Sequence, residues 1–341
     1  MRILGTILTL LFLPANITAQ ITLHKVSDEL IFKEPPFAQC HASTIVEVRP
    51  NKFMLAAFGG TGEGKKDVCI WFSAAENGKW SKPEKMAEGV INDKLRYPCW
   101  NPVLFKTREG KLFLFYKVGP SPSTWWGMVR TSANDGKSWT SPERLPEGIL
   151  GPIKNKPVQL SDGTIISPSS TETKERWAIH LEISQDFGKT WQFIPVDPKS
   201  DFNVIQPAIL IHANNKLQIL CRSKSNVIVQ AFSEDNGNNW GALSGTELPN
   251  PNSGIDAVTL KNGWHLLAYN PTVQGKEDRA RLNVAISKDG IKWADACILE
   301  SKEKGEFSYP AVIQANDERV HITYTYNRVN IKHVVLEVLQ P

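Results

Sequence analysis

Apolar residues occur along this chain in short runs, such as 204–211 (VIQPAILI), 217–221 (LQILC) and 227–232 (VIVQAF). Runs of this length, separated by Gly, Pro, Asn, Asp and Ser, read as β-strands joined by turns. No segment keeps a 3.6-residue period, so the chain is expected to be all-β. The apolar run at 3–13 differs in kind. It follows Arg2 and precedes the small residue Ala19, the layout of a secretory signal peptide cut after position 19. The run falls short of the roughly 20 residues needed to span a bilayer, and no other segment comes close. Residues 1–19 are thus expected to direct export, leaving 20–341 as one domain with no membrane span, secreted or periplasmic.

One polar motif recurs between the apolar runs. Ser184, Asp186, Gly188, Thr190 and Trp191 are matched by Ser233, Asp235, Gly237 and Trp240, and by Ser132, Asn134, Gly136, Ser138 and Trp139. Ser287, Asp289, Gly290 and Trp293 form a shortened copy, and Ser73, Gly78 and Trp80 a degenerate one. The tryptophans at 80, 139, 191, 240 and 293 lie 59, 52, 49 and 53 residues apart. Ser and Asp side chains can bond nearby backbone amides and Gly supplies a positive φ, so the motif suits a hairpin turn. The Trp can pin that turn to a sheet. A repeat of about 50 residues is the size of a four-stranded propeller blade, and about 320 residues would make six.

Composition narrows the function. The 341 residues are 41% hydrophobic and 22% charged, with a formal net charge of +4 and no cluster of Lys and Arg. Intrinsic disorder and a nucleic-acid partner are both disfavoured. The five cysteines (40, 69, 99, 221 and 297) are widely spaced and form no CxxC pair, so neither a zinc site nor a disulfide framework is indicated. No metal or cofactor is expected, and a monomer is expected. The stretch 59–66 (GGTGEGKK) imitates a phosphate-binding loop, but Lys66 stands where that motif needs Ser or Thr, and a strand-like run follows.

The motif Ser-x-Asp-x-Gly-x-Thr-Trp resembles the Asp box of the sialidase (neuraminidase) superfamily. The resemblance covers nearly all of the mature chain and implies a six-bladed β-propeller of the sialidase type. It further implies hydrolysis of a terminal acidic sugar from a glycan. In that family three arginines hold the sugar carboxylate, a Tyr paired with a Glu is the nucleophile, and an Asp is the acid/base. Arg suits a carboxylate because its donors form a fixed fork. A neutral Tyr avoids the repulsion that a carboxylate nucleophile would meet beside the sugar's own carboxylate.

Carried over residue by residue, Arg222 resembles the second arginine, Arg279 the third, and Tyr309 the nucleophile. Glu63 falls where the family has its acid/base, with Asp67 four residues on. His41 stands in the first arginine's place, and Gln206 where the family has the Glu partner, leaving Glu172 or Glu306 to supply a carboxylate. Other residues suited to a polar sugar site are Trp100 and Asn101, Trp126 (beside Trp125), Lys154 and Lys156, Glu172, and Asp256 with Asn252. Two further readings keep the fold. In one, His41 and Tyr309 serve a lyase or rhamnosidase-like enzyme acting on uronic-acid polysaccharide. In the other, the propeller binds glycan without catalysis.

Overall fold

The computed structural model describes residues 21–213, 216–275 and 278–339; the expected signal peptide lies outside them. Six antiparallel sheets are arranged as the blades of a propeller. Their innermost strands, in chain order, are Gln39–Arg49, Cys99–Lys106, Val158–Gln159, Val204–Ile211, Asp256–Thr259 and Phe307–Gln314. Each is followed by strands lying progressively further out. The ring is closed by the N-terminal strand Thr22–Leu30, which pairs outermost in the sixth blade with Asn330–Leu339. A small hairpin, Val90–Asn92 with Leu95–Arg96, links the first two blades. Among the described residues no helix is long and apolar enough to cross a membrane.

The core lies between blades rather than at one centre. Leu160, Ile166 and Leu181 of the third blade pack with Ile209, Leu217 and Ile219 of the fourth. Leu266, Leu282 and Val284 of the fifth pack with Phe307, Ile322 and Tyr324 of the sixth. Each blade therefore buries apolar side chains against its neighbours, which is why the strand runs are nearly continuous in hydrophobicity. The cysteines at 40, 69, 99 and 221 are buried free thiols.

The repeated motif forms the turn between the third and fourth strands of a blade. In the third blade, Asp186 accepts from the amides of Lys189 (3.0 Å) and Thr190 (2.9 Å) and from the Thr190 hydroxyl (2.6 Å). Ser184 accepts from the Gly188 amide at 2.8 Å. Those bonds, the Thr190 hydroxyl foremost, hold the Asp186 carboxyl well below its ordinary range. The motif also reaches sideways. Gly188 has φ +81, and a Cβ there would sit 3.0 Å from Phe113 of the preceding blade. Gly237 stands in the same relation to Ile166. Gly188→Ala is expected to destabilise the fold by about 1–2 kcal/mol, from the left-handed backbone alone before any shift of Phe113. Chemical denaturation would measure it, and an unchanged midpoint would refute the account.

Antiparallel pairing puts all these turns on one face of the propeller. The starts of the innermost strands and the ends of the second strands lie on the opposite face. That face holds the candidate site.

Candidate functional site

Near their starts, four of the six innermost strands share a backbone step. Ala42 (φ 55), Asn101 (φ 35), Gln206 (φ 57) and Tyr309 (φ 53) are all left-handed, and each coincides with a shift in strand register. Three of the four precede a proline, which disfavours regular pairing there. Non-glycine residues in this region carry strain of about 1–3 kcal/mol each, and such strain gathers at functional sites. The bulges disrupt the ladder and re-aim the side chains locally.

Tyr309 lies among cations. Its hydroxyl accepts from Arg222 Nη1 at 2.7 Å. The Arg222 and Arg279 guanidinium carbons lie 5.6 and 5.9 Å from its ring centre, and Lys154 Nζ lies 5.9 Å away. Arg222 is buried and held by neutral groups: its Nε donates to Asn252 Oδ1 at 2.9 Å, its Nη2 to the Asn252 carbonyl, and its Nη1 also to Gln206 Oε1 at 3.3 Å. Among the described residues no carboxylate forms a salt bridge with it. Trp177, on the third blade, lies 5.9 Å below the guanidinium and 4.1 Å from Lys224 Nζ.

A third arginine joins this group from an unexpected place. Arg328 sits at the turn between the second and third strands of the sixth blade, with φ 56. Its Nε donates to Glu306 Oε2 at 2.9 Å and its Nη1 to Glu63, while Arg279 Nη1 reaches Glu306 Oε1 at 3.1 Å. Burial pushes the Glu306 carboxyl up, but Arg328 and Arg279 outweigh it and hold the group below its ordinary range. Ser308, adjacent to Tyr309, donates to the same carboxylate at 3.0 Å.

His41 is placed at the centre but not as a cation. Its ring lies 4.1 Å from that of Tyr309, it is 2% exposed, and neither ring nitrogen has a hydrogen-bond partner among the described residues. Burial, then the charges of Arg328, Arg279, Arg222 and Lys154, push its pKa far below the ordinary value. A neutral imidazole cannot supply the positive charge expected at this position. Arg328 borders the same small recess together with Glu63 and brings a guanidinium there.

The remaining candidates divide. Lys154 is buried; it donates to Asn155 Oδ1 at 2.8 Å, to the Ile255 carbonyl at 2.9 Å and to the Pro310 carbonyl, tying the third blade to the fifth and sixth. Burial pushes its ammonium down to about 7, with Asp256 pulling it back up. Lys156 and Asp256 are paired at 3.0 Å, and Asp256 also accepts the Val312 amide at 2.7 Å. Their charges serve the joints between blades. Asp67 accepts both the amide (2.7 Å) and hydroxyl (2.8 Å) of Thr61, closing the Gly-rich loop on itself. Trp100 and Asn101 are buried in the second blade; the Trp100 indole donates to the Gly119 carbonyl at 2.9 Å. Trp126 packs edge-on to Tyr97 at 5.7 Å and under Arg144 at 5.1 Å, in contacts within and between the early blades.

Glu172, at the end of the second strand of the third blade, differs from every other carboxylate near the centre. Burial raises its pKa, while Arg222 and Lys224 pull it down and Glu63 pushes it up. It is a half-buried carboxyl with no salt bridge among the described residues. Among those residues no group of three or more His, Cys, Asp or Glu could hold a metal ion. The site gathers guanidinium groups suited to an anion around one phenol, with the half-buried carboxyl of Glu172 nearby.

Comparison with known proteins places this geometry in a family. The family described as the BNR repeat-like domain matches residues 51–322. No curated protein matches the sequence. Among solved structures, a protein of unknown function from Dyadobacter fermentans is 17% identical with a TM-score of 0.77, covering 93% of this chain and all of that one. The NanB sialidase of Streptococcus pneumoniae is 13% identical with a TM-score of 0.72, over 91% of this chain and 70% of that one. The intramolecular trans-sialidase of Ruminococcus gnavus is 12% identical with a TM-score of 0.72, over 93% and 99%. At these identities the structures speak for the fold. The chain belongs to the BNR repeat-like domain family, and its six-bladed propeller has the same fold as these sialidase structures.

Proposed function

We propose that this chain is an exported exo-glycosidase of the sialidase type, releasing a terminal acidic sugar from a glycan. The observation that supports this reading is the gathering of Arg222 and Arg279 around the phenol of Tyr309, with Arg328 joined to Arg279 through Glu306. The arginines would hold the sugar carboxylate by charge-assisted hydrogen bonds. Tyr309 would attack the anomeric carbon as its phenolic proton passes to the Glu306 carboxylate, which the adjacent Ser308 contacts, and the Arg222 donor at 2.7 Å would offset the negative charge that builds on the phenol oxygen as that proton leaves. Glu172 would give a proton to the leaving oxygen and later take one from the attacking water. Glu63, engaged by Arg328, would position that arginine rather than transfer protons.

The acid role of Glu172 carries a pH signature. Only its protonated form can donate, so the rate should fall as pH rises through its raised pKa. Glu172→Gln is expected to lower turnover about a hundredfold or more and to remove that alkaline limb, measured as kcat against pH. A variant that keeps the limb would assign the acid role elsewhere.

A neutral His41 beside Tyr309 also favours a second reading, a β-eliminating lyase on uronic-acid polysaccharide with imidazole as base. Ultraviolet absorbance from an unsaturated product would establish that reading. Its absence during turnover leaves hydrolysis.

A further inference from the structure

We propose that the cleft between the second and third blades binds a neutral sugar ring, the one attached to the acidic sugar held at the centre. This rests on the reading above. The cleft, of about 270 Å³, is walled by Trp125 and Phe193 and edged by Ser123, Thr171, Thr173 and Glu172. That volume is just below the range of about 300–1,000 Å³ for drug-sized ligands, which suits a single ring. Aromatic faces take the apolar side of a sugar, and the hydroxyls and carboxylate take its polar edge. No Lys or Arg is among the residues that line it, in contrast to the centre, so the ring it selects carries no charge.

Two features mark the cleft as built. First, its floor and wall are held in place by buried polar groups. The Glu182 carboxylate, fully buried, accepts the amides of Leu150 (2.7 Å) and Gly151 (2.8 Å), and Lys117 Nζ holds the Pro152 carbonyl at 2.8 Å. His180 sits against Glu182 at 3.2 Å, and Phe193 stacks on the imidazole at 4.3 Å and 23°. Phe193 is nevertheless 48% exposed, a large ring fixed in place with a free face. A wall ordered before binding lowers the entropic cost of binding. Second, Glu172 belongs to both places: it edges this cleft and lies in the field of Arg222. A carboxyl shared in this way stands where the bond between the two sugars would lie.

The test is a tryptophan-fluorescence titration of the mature chain with the neutral methyl glycosides of glucose, galactose and N-acetylglucosamine, and separately with free sialic acid and glucuronic acid. Phe193→Ala is expected to weaken neutral-glycoside binding about tenfold, the loss of one stacked ring, and to leave acidic-sugar binding unchanged. Thr171→Val, exposed and remote from the core, should weaken it as well. Failure of every neutral glycoside to bind, or equal binding by both variants and the wild type, overturns the cleft site while acidic-sugar binding still stands. Neutral binding that depends on Phe193 without any acidic-sugar binding overturns the central reading instead, and with it the claim that one glycan spans both places.

Discussion

Tyr309→Phe is expected to lower kcat on an acidic glycoside by about a thousandfold or more, because in the proposed mechanism it removes the oxygen that attacks. The ring would keep its contact with His41 at 4.1 Å and the same left-handed backbone, so folding should be little changed. Arg222 would lose one of its contacts but keep both groups of Asn252. Steady-state kinetics beside a thermal melt distinguish the two effects. An activity within tenfold of wild type, in a protein that melts normally, would remove Tyr309 from the mechanism.

The second large effect concerns Arg222. Replacement by Lys keeps the charge and loses the fork that reaches Tyr309, Gln206 and Asn252 together. Loss of a donor aimed at developing charge typically costs about 10²–10³ in rate, and kcat/KM should fall by that order. Both kcat and KM should respond, since the same group would bind the carboxylate and stabilise the phenol oxygen. Glutamine at 222 should be at least as damaging. If Arg222→Lys raised KM with kcat unchanged, the guanidinium would serve binding alone.

The fold was legible because its signal is local. Asp186 and Ser184 bond amides within four residues of themselves, so the turn is written into a short stretch, and five spaced copies reveal the ring. The site was only partly legible because it is assembled across blades. Tyr309, Arg222, Gln206 and Arg279 could be placed from motifs that sit at strand ends. Arg328 could not, since its role follows from the Glu306 and Glu63 carboxylates, 22 and 265 residues away. Arg328 lies in the short turn between Val320–Tyr326 and Asn330–Leu339, and nothing local in the sequence says which way that turn faces. Lys154, Lys156 and Asp256 show the converse: charges suited to a ligand are satisfied by other blades about 100 residues distant. His41 stands in sequence where the family has its first arginine, but its burial, invisible in sequence, sets its charge. Phe193 and His180 fall in a strand pair that reads as ordinary packing.

The central claim is that the clustered arginines select a carboxylate-bearing sugar for cleavage at Tyr309. The most direct measurement compares fluorophore release by the purified chain from an α-linked sialic acid glycoside and from its carboxamide, which keeps the shape and removes the charge. The account predicts release from the acid, with kcat/KM for the carboxamide lower by about a hundredfold or more, the cost of leaving charged donors without a charged partner. Equal rates on the two, or no release from either by a folded protein, would contradict it.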